Sequence, residues 1–198
     1  MNRGTLITLG IIGVIVLIIF YSFSGTYNSM VEKQETVEQA WAQVAGQYQR
    51  RLDLIPNLIE TVKGVSNFEK TTLTDVVEAR SRAGSVQLTK EALNDEQAMK
   101  NYMQAQGQLQ GAISRLLVVS ENYPELKSNQ SFQDLMAQLE GTENRIANER
   151  KRYGDAVKDY NTYIRKFPNS IYASVFGFEK KAYFEAEAGA EKAPKVKF

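Results

Sequence analysis

The longest run of hydrophobic positions lies at the N-terminal end of the chain. Residues 6–23 consist mainly of Leu, Ile, Val and Phe, and no charged side chain occurs between Gly4 and Val31. A helix of about 20 apolar residues crosses a hydrocarbon core of ~30 Å. The pattern therefore predicts a transmembrane helix over residues 5–25, with residues 1–4 on one side of the membrane.

A cleaved signal peptide is the alternative interpretation of this run. Residues 22–24, Ser-Phe-Ser, resemble a weak cleavage site. However, the run exceeds the about 7–15 apolar residues of a signal peptide, so a retained anchor is favoured. Arg3 precedes the run and Lys33 is the first basic residue after it. The positive-inside rule then predicts a cytoplasmic N-terminus and an extracytoplasmic remainder.

Four amphipathic segments follow, and the first can continue directly from the apolar run. Apolar side chains recur in each at steps of three or four, the spacing of one helical face. The segments cover residues 26–64, 68–83, 94–121 and 131–166. Pro56 lies inside the first, where its missing N–H is expected to bend the helix. Because the breaks are short and strand-like alternation is absent, we predict an all-α fold: an N-terminal transmembrane helix and an antiparallel up-and-down four-helix bundle over residues 26–168.

The chain changes character after Pro168. Residues 169–198 begin with an apolar and aromatic stretch that has no clear period, continue with an Ala- and Glu-rich stretch and end in Ala-Pro-Lys-Val-Lys-Phe. We predict an aromatic segment followed by an extended C-terminal tail.

Composition disfavours several function classes. The 24 basic and 23 acidic residues give a net charge of +1, so no overall field attracts nucleic acid. The absence of Cys removes thiolate nucleophiles and zinc–thiolate sites, and the absence of His removes the commonest general base and metal ligand. We therefore predict a protein that is not an enzyme and that uses no cofactor.

Several blocks of sequence are long enough to be specific. They are Tyr27-Asn28, residues 37–44 (VEQAWAQV), 47–58 (QYQRRLDLIPNL), 121–127 (ENYPELK) and 141–147 (GTENRIA), Tyr160-Asn161, and residues 193–198 (APKVKF). Spread over essentially the whole chain, they resemble the LemA family, which is widespread in bacteria. The resemblance implies a single-pass protein of the bacterial inner (cytoplasmic) membrane with an up-and-down helical domain. The family is not known for enzymes, and some members are linked to membrane remodelling or to envelope proteases.

Two adjacent arginines lie just before the proline of the first segment. Arg50 and Arg51 are candidates for docking an acidic segment of a partner or a lipid headgroup. The alternative is a structural role, either as solvated side chains or in an interhelical network with Glu143, Glu149 and Arg150. The structural role is favoured.

Two further groupings have simpler explanations than a ligand site. Three carboxylates resemble the metal-bridging residues of di-iron bundles only in part, because those sites also use Glu-x-x-His and the chain has no His. These carboxylates are Asp53, Glu143 and Glu149. Four aromatic residues at helical spacing are expected in the core rather than in a ligand cage. They are Trp41, Tyr48, Tyr153 and Tyr160.

The C-terminal region contains the remaining candidates for partner binding. Its aromatic stretch is a strap over the seam of the bundle in one interpretation, and a membrane-interface or partner-binding segment in another. The extreme end could add a strand to a partner's sheet, offer its carboxylate to a pocket, or simply be solvated. These alternatives stay open. The candidate residues are Phe176, Phe178, Tyr183, Phe184, Val196 and Phe198.

These observations lead to a preferred hypothesis and an alternative. The preferred function is a membrane-anchored, non-enzymatic helical scaffold of the cell envelope that self-associates or binds other envelope proteins. The alternative is a regulatory adaptor of a membrane protease complex. The expected partners are membrane lipids, through the N-terminal helix, and either further copies of the chain or envelope proteins such as a membrane protease; nucleic acid is not expected.

Overall fold

Helices account for the regular structure of the computed structural model, which describes residues 3–64, 68–87 and 89–184. The α-helices are α1 (Arg3–Lys63), α2 (Lys70–Ser85), α3 (Glu96–Ser120), α4 (Pro124–Lys127), α5 (Gln130–Arg165) and α6 (Asn169–Phe176). A short 3₁₀ helix, Glu91–Asn94, precedes α3. Within these ranges the prediction of an all-α fold is confirmed.

The helix α1 lies antiparallel to α5. Trp41 of α1 stacks edge-on against Tyr153 of α5, with ring centroids 5.7 Å apart. Further along α1, Arg51 pairs with Glu143, which comes earlier in α5. As one helix advances, the other therefore runs back, as expected for neighbours in an up-and-down bundle.

The helices α2 and α3 form the second antiparallel pair. Asp75 and Arg115 form an ion pair at 3.1 Å, and the side chain of Gln106 donates to the carbonyl of Ala83 at 3.5 Å. Arg51 of α1 also bonds to Gln106, which joins the two pairs of helices. The bundle proper consists of α1 beyond the apolar run, α2, α3 and α5.

Buried apolar side chains form two clusters along the bundle. The proximal cluster lies nearer α6 and contains Met30, Val37, Trp41, Val44, Tyr48, Leu93, Met99, Tyr102, Ile146, Tyr153, Val157, Tyr160, Ile164, Ala173 and Ala182. The distal cluster contains Leu52, Ile55, Leu58, Ile59, Val62, Phe68, Val76, Ala79, Ala83, Leu109, Ile113, Leu116, Leu126, Phe132 and Leu139. The polar layer described below lies between them.

The helix α1 runs unbroken through 61 residues, from the apolar run into the bundle. Among the described residues, none of the helices contains a stretch that is both long and apolar enough to span a membrane. Within the segment predicted to span, residues 5–25, the side chains at positions 5, 6, 8, 9, 15–20 and 22 lie outside the described residues. The transmembrane helix therefore stays a prediction.

A side chain from α2 compensates for the proline inside α1. Pro56 has no N–H to donate to the carbonyl of Leu52, which is four residues earlier in the helix. The Nε of Arg80 donates to this carbonyl instead, at 3.0 Å. The same hydrogen bond ties α2 to α1.

This compensation predicts an energetic coupling between Pro56 and Arg80. Arg80→Met is expected to lower the free energy of unfolding by about 1 kcal/mol, because the Leu52 carbonyl loses its donor. In a Pro56→Ala background the new N–H supplies the helical bond, so the same substitution is expected to cost close to nothing. Urea denaturation of the four proteins of this double-mutant cycle measures the coupling. An equal loss in both backgrounds would contradict this role of Arg80.

The chain beyond α5 folds back onto the bundle. The helix α6 differs from the sequence expectation, since residues 169–176 show no clear apolar period. It ends at Gly177, whose positive φ of 74° suits a residue without a Cβ. Residues 178–184, called the strap below, are non-helical and pass along α1 and α5, from Phe178 near Tyr27 to Phe184 near Trp41.

Candidate functional site

A buried arginine forms the centre of a polar layer between the two hydrophobic clusters. The side chain of Arg51 is 2% exposed, and its Nη1 donates to Glu143 at 2.7 Å and to Gln110 at 3.3 Å. Its Nη2 donates to the side-chain and backbone oxygens of Gln106, at 2.5 and 3.2 Å. The guanidinium also lies 5.1 Å from the centre of the Tyr48 ring. Removing water from a charge is costly unless such partners replace it.

The neighbouring arginine and the other charges predicted for this network lie elsewhere. Arg50 is exposed. Glu149 pairs with Arg152 at 2.8 Å, within its own helix. Arg150 lies over the ring of Phe184, 4.8 Å from its centre. Of the predicted interhelical network, the structure therefore contains the link between the buried arginine and Glu143.

The carboxylates considered as metal ligands have other partners. Asp53 accepts a hydrogen bond from Gln49 at 2.7 Å. Glu143 and Glu149 are in the ion pairs described above. Nowhere in the described residues are three or more potential metal ligands grouped together.

An asparagine of α5 fixes the middle of the strap. Asn161 is buried, and its side-chain oxygen accepts from the backbone N–H of Lys181 at 2.9 Å. Its amide nitrogen donates to the carbonyl of the same residue, also at 2.9 Å. One side chain therefore satisfies both backbone groups of a residue that is itself buried. Buried backbone groups without partners would be costly.

Two tyrosine hydroxyls of α5 reinforce this attachment. Tyr153 donates to the carbonyl of Ala182 and Tyr160 to that of Glu179, each at 3.0 Å. Burial raises the pKa of the Tyr153 hydroxyl. Burial, followed by the nearby carboxylates of Glu179 and Glu38, raises the pKa of Tyr160 to about 12. Both hydroxyls therefore keep the protons that they donate at physiological pH.

The strap also fills the space between α1 and α5 with an aromatic ring. Phe184 lies with its ring centre 6.0 Å from that of Trp41 and 5.1 Å from that of Tyr153. The rings of Trp41 and Tyr48 each meet Tyr102 of α3 at 5.4 Å. The four aromatic residues considered as a ligand cage thus all belong to the proximal cluster, and two of them, Trp41 and Tyr153, pack against the strap.

A second group of aromatic contacts joins α6 and the strap to the start of the bundle. The ring of Phe176 lies 5.0 Å from Phe23 and 4.9 Å from Tyr27. The ring of Phe178 lies 5.7 Å from Tyr27. The ring of Tyr172 lies 5.3 Å from Phe23. These contacts attach the C-terminal elements to α1 where the apolar run ends.

The candidates for partner binding thus differ in accessibility. Phe178 and Phe184 are partly buried against the bundle, which is the strap arrangement, whereas Tyr183 is exposed. Phe176 is exposed on one side although α1 covers the other. The terminal candidates, Val196 and Phe198, lie outside the described residues, and partner binding by the whole set stays a prediction.

Sequence reasoning missed Asn161, Gln106 and Lys181 as interacting residues. Asn161 and Gln106 occupy buried positions on helices, where an amide interrupts an apolar face, and such interruptions were the available signal. Their partners are backbone groups and an arginine far away in sequence, which no local pattern indicates.

The fold and these contacts define a class of helical protein in which a long first helix forms part of an antiparallel bundle, and a C-terminal strap packs along this helix and α5. Comparison with known families shows that the chain belongs to the LemA family, whose family model matches residues 40–198.

Three relatives are similar over most of their length. The chain is 28% identical to the magnetosome protein MamQ of Magnetospirillum gryphiswaldense and 26% identical to magnetosome protein MamQ 2 of Paramagnetospirillum magneticum; in each case 96% of this chain and 76% of the relative are covered. It is 20% identical to protein LemA of Metamycoplasma hominis, with 85% of this chain and 73% of the relative covered.

Proposed function

We propose that the protein is a membrane-tethered, non-enzymatic scaffold of the bacterial cell envelope. The observation that carries this proposal is the continuity of α1, in which one helix of 61 residues contains both the apolar run and side chains of both hydrophobic clusters. Because no flexible linker separates the two parts of this helix, the segment in the membrane fixes the position of the bundle relative to the bilayer.

The exposed side chains of the apolar run support a lipid environment. Ile7, Ile11, Ile12 and Val14 are all large, apolar and exposed. Exposing such side chains to water is unfavourable, at about 25 cal/mol for each Å². At a rise of ~1.5 Å per residue, a helix over residues 5–25 is about 31 Å long, which matches a hydrocarbon core of ~30 Å.

The charges around the run suggest the orientation. Arg3 lies before it and Lys33 after it, which by the positive-inside rule favours a cytoplasmic N-terminus and a bundle outside the inner membrane.

The interior of the bundle supports a structural rather than a catalytic role. Three of its large buried polar side chains, Arg51, Tyr153 and Tyr160, are engaged in bonds that hold helices or the strap together. The accessible features are the outer surface and the C-terminal end, which we assign to self-association or to binding other envelope proteins.

Truncation after Phe184 tests the scaffold role. This variant keeps the whole strap, so its melting temperature is expected to match that of the full chain. Crosslinking with mass spectrometry in native membranes is expected to show that the variant loses most of its crosslinks to partners or to other copies of the chain. The same analysis of Asn148→Ala, an exposed substitution on α5, serves as a control for an unrelated surface change. Unchanged crosslinks after truncation would contradict partner binding by the tail, and a single defined hetero-complex in place of self-association would favour the protease adaptor.

A further inference from the structure

One face of the C-terminal helix exposes apolar side chains. Phe167 is 83% exposed, Ile171 54% and Val175 70%. Ile171 and Val175 are one turn apart on α6, and Phe167 lies just before the helix. We call these three residues the α6 face. A cluster of large apolar side chains on a surface usually marks an interaction site.

A neighbouring face of α6 contacts α1 beside the end of the apolar run. Tyr172 and Phe176 contact Phe23, with ring centres 5.3 and 5.0 Å apart. Phe23 is the last residue of the apolar run. The α6 face therefore lies beside the end of the segment that the proposed function places in the membrane.

We propose that the α6 face inserts into the headgroup region of the lipid bilayer on the bundle side of the membrane. This inference rests on the proposed tethering by residues 5–25. If that segment crosses the hydrocarbon core, Phe23 lies at the boundary of the core. The side chains of the α6 face, which lie at the same depth as Phe23, then meet the headgroup region. Aromatic and basic side chains are typical of this region. Arg165 and Lys166, both exposed, immediately precede Phe167 and can contact lipid phosphates.

A lipid surface fits the α6 face better than a second copy of the chain. A stable protein interface buries about 20–30 residues on each side. The α6 face offers three apolar side chains, which is small for a dimer. It is sufficient for an interfacial contact that is already held in place by a covalently linked anchor. Such a contact would fix the tilt of the bundle relative to the membrane.

Single cysteines can test this placement directly, because the chain has no cysteine of its own. Spin labels are attached to Val175→Cys, Val118→Cys and Ile11→Cys variants of the full chain in nanodiscs that contain anionic lipid. Val118 on α3 is the matched control, since it is also 70% exposed. Collision rates with oxygen, which partitions into lipid, and with a nickel chelate, which stays in water, report the surroundings of each label.

The label at Val175 is expected to show a ratio of oxygen to nickel collisions several-fold above that at Val118 and below that at Ile11. A Val175 label as accessible to nickel as the Val118 label, with Ile11 in lipid, would overturn the inference while leaving the tether intact. If the Ile11 label also reports water, the proposed tether fails as well. Spin–spin broadening at Val175 that disappears on dilution with unlabelled protein would assign the face to a second copy and overturn the lipid contact.

Discussion

Replacing Arg51 by alanine is expected to lower the free energy of unfolding by about 3–5 kcal/mol, the range for breaking a buried ion pair. The guanidinium bonds to α3 and α5 at once, through Gln106, Gln110 and Glu143. Its loss leaves a cavity and unpaired amides between the two hydrophobic clusters. For a chain of this size the melting temperature should fall by roughly 10 °C. Differential scanning calorimetry or urea denaturation, monitored by circular dichroism, measures the change.

The preceding residue provides a matched control for this substitution. Arg50→Ala removes an arginine from the same helix at an exposed position, and the expected change is within ~0.5 kcal/mol. Glu143→Ala should fall between the two, because its carboxylate is 31% exposed and is only one of the partners of Arg51. Similar melting temperatures for the Arg50 and Arg51 variants would show that the polar layer does not stabilise the bundle.

Replacing Asn161 by alanine is expected to release the strap. The substitution leaves the buried N–H and carbonyl of Lys181 without their partners, at a cost of roughly 2–3 kcal/mol. Since each 1.4 kcal/mol corresponds to a factor of ten, the amides of residues 178–184 should exchange with solvent roughly 30- to 150-fold faster. Exchange in α2, which the strap does not hold, should be nearly unchanged.

Hydrogen–deuterium exchange followed by mass spectrometry resolves these two regions. Asn148→Ala, an exposed substitution of the same type on the same helix, is the control and should leave both exchange rates unaltered. Unchanged protection of residues 178–184 in the Asn161 variant would mean that Phe184, the tyrosine hydroxyls and the bond from the Ala182 N–H to the Leu93 carbonyl hold the strap without the asparagine.

The long helices could be predicted because each buries one continuous face. Steps of three or four between apolar residues placed α2, α3 and α5 to within about two residues of the predicted segments 68–83, 94–121 and 131–166. Glu143 was also recognisable, because it and Arg150 are the two charged positions on the helical stripe of residues 131–166. Its pairing with Arg51 could be predicted only as one alternative, because an ion pair between distant helices depends on how the helices align.

The C-terminal elements were less predictable for physical reasons. The helix α6 has eight residues, too few to establish a period, and its Phe176 and Tyr172 contact α1 while Ile171 and Val175 are exposed. The strap is held by side chains of α5 that bond to its backbone, and backbone bonding leaves no trace in the identity of the residues concerned. From its apolar and aromatic composition, the strap was one of two open interpretations, beside a membrane-interface or partner-binding segment.

The proposed function depends on one unbroken helix, α1, that spans the bilayer and continues into the bundle. A scan of spin labels at single cysteines along positions 7–35 of the full chain in nanodiscs tests this continuity most directly. We expect accessibility to oxygen to be highest near the middle of the apolar run, to fall towards Thr26, and to oscillate beyond it with the roughly 3.6-residue period of an unbroken helix. Labels at positions 7–14 that report water, or a loss of the period around Gly25, would contradict the proposed tether.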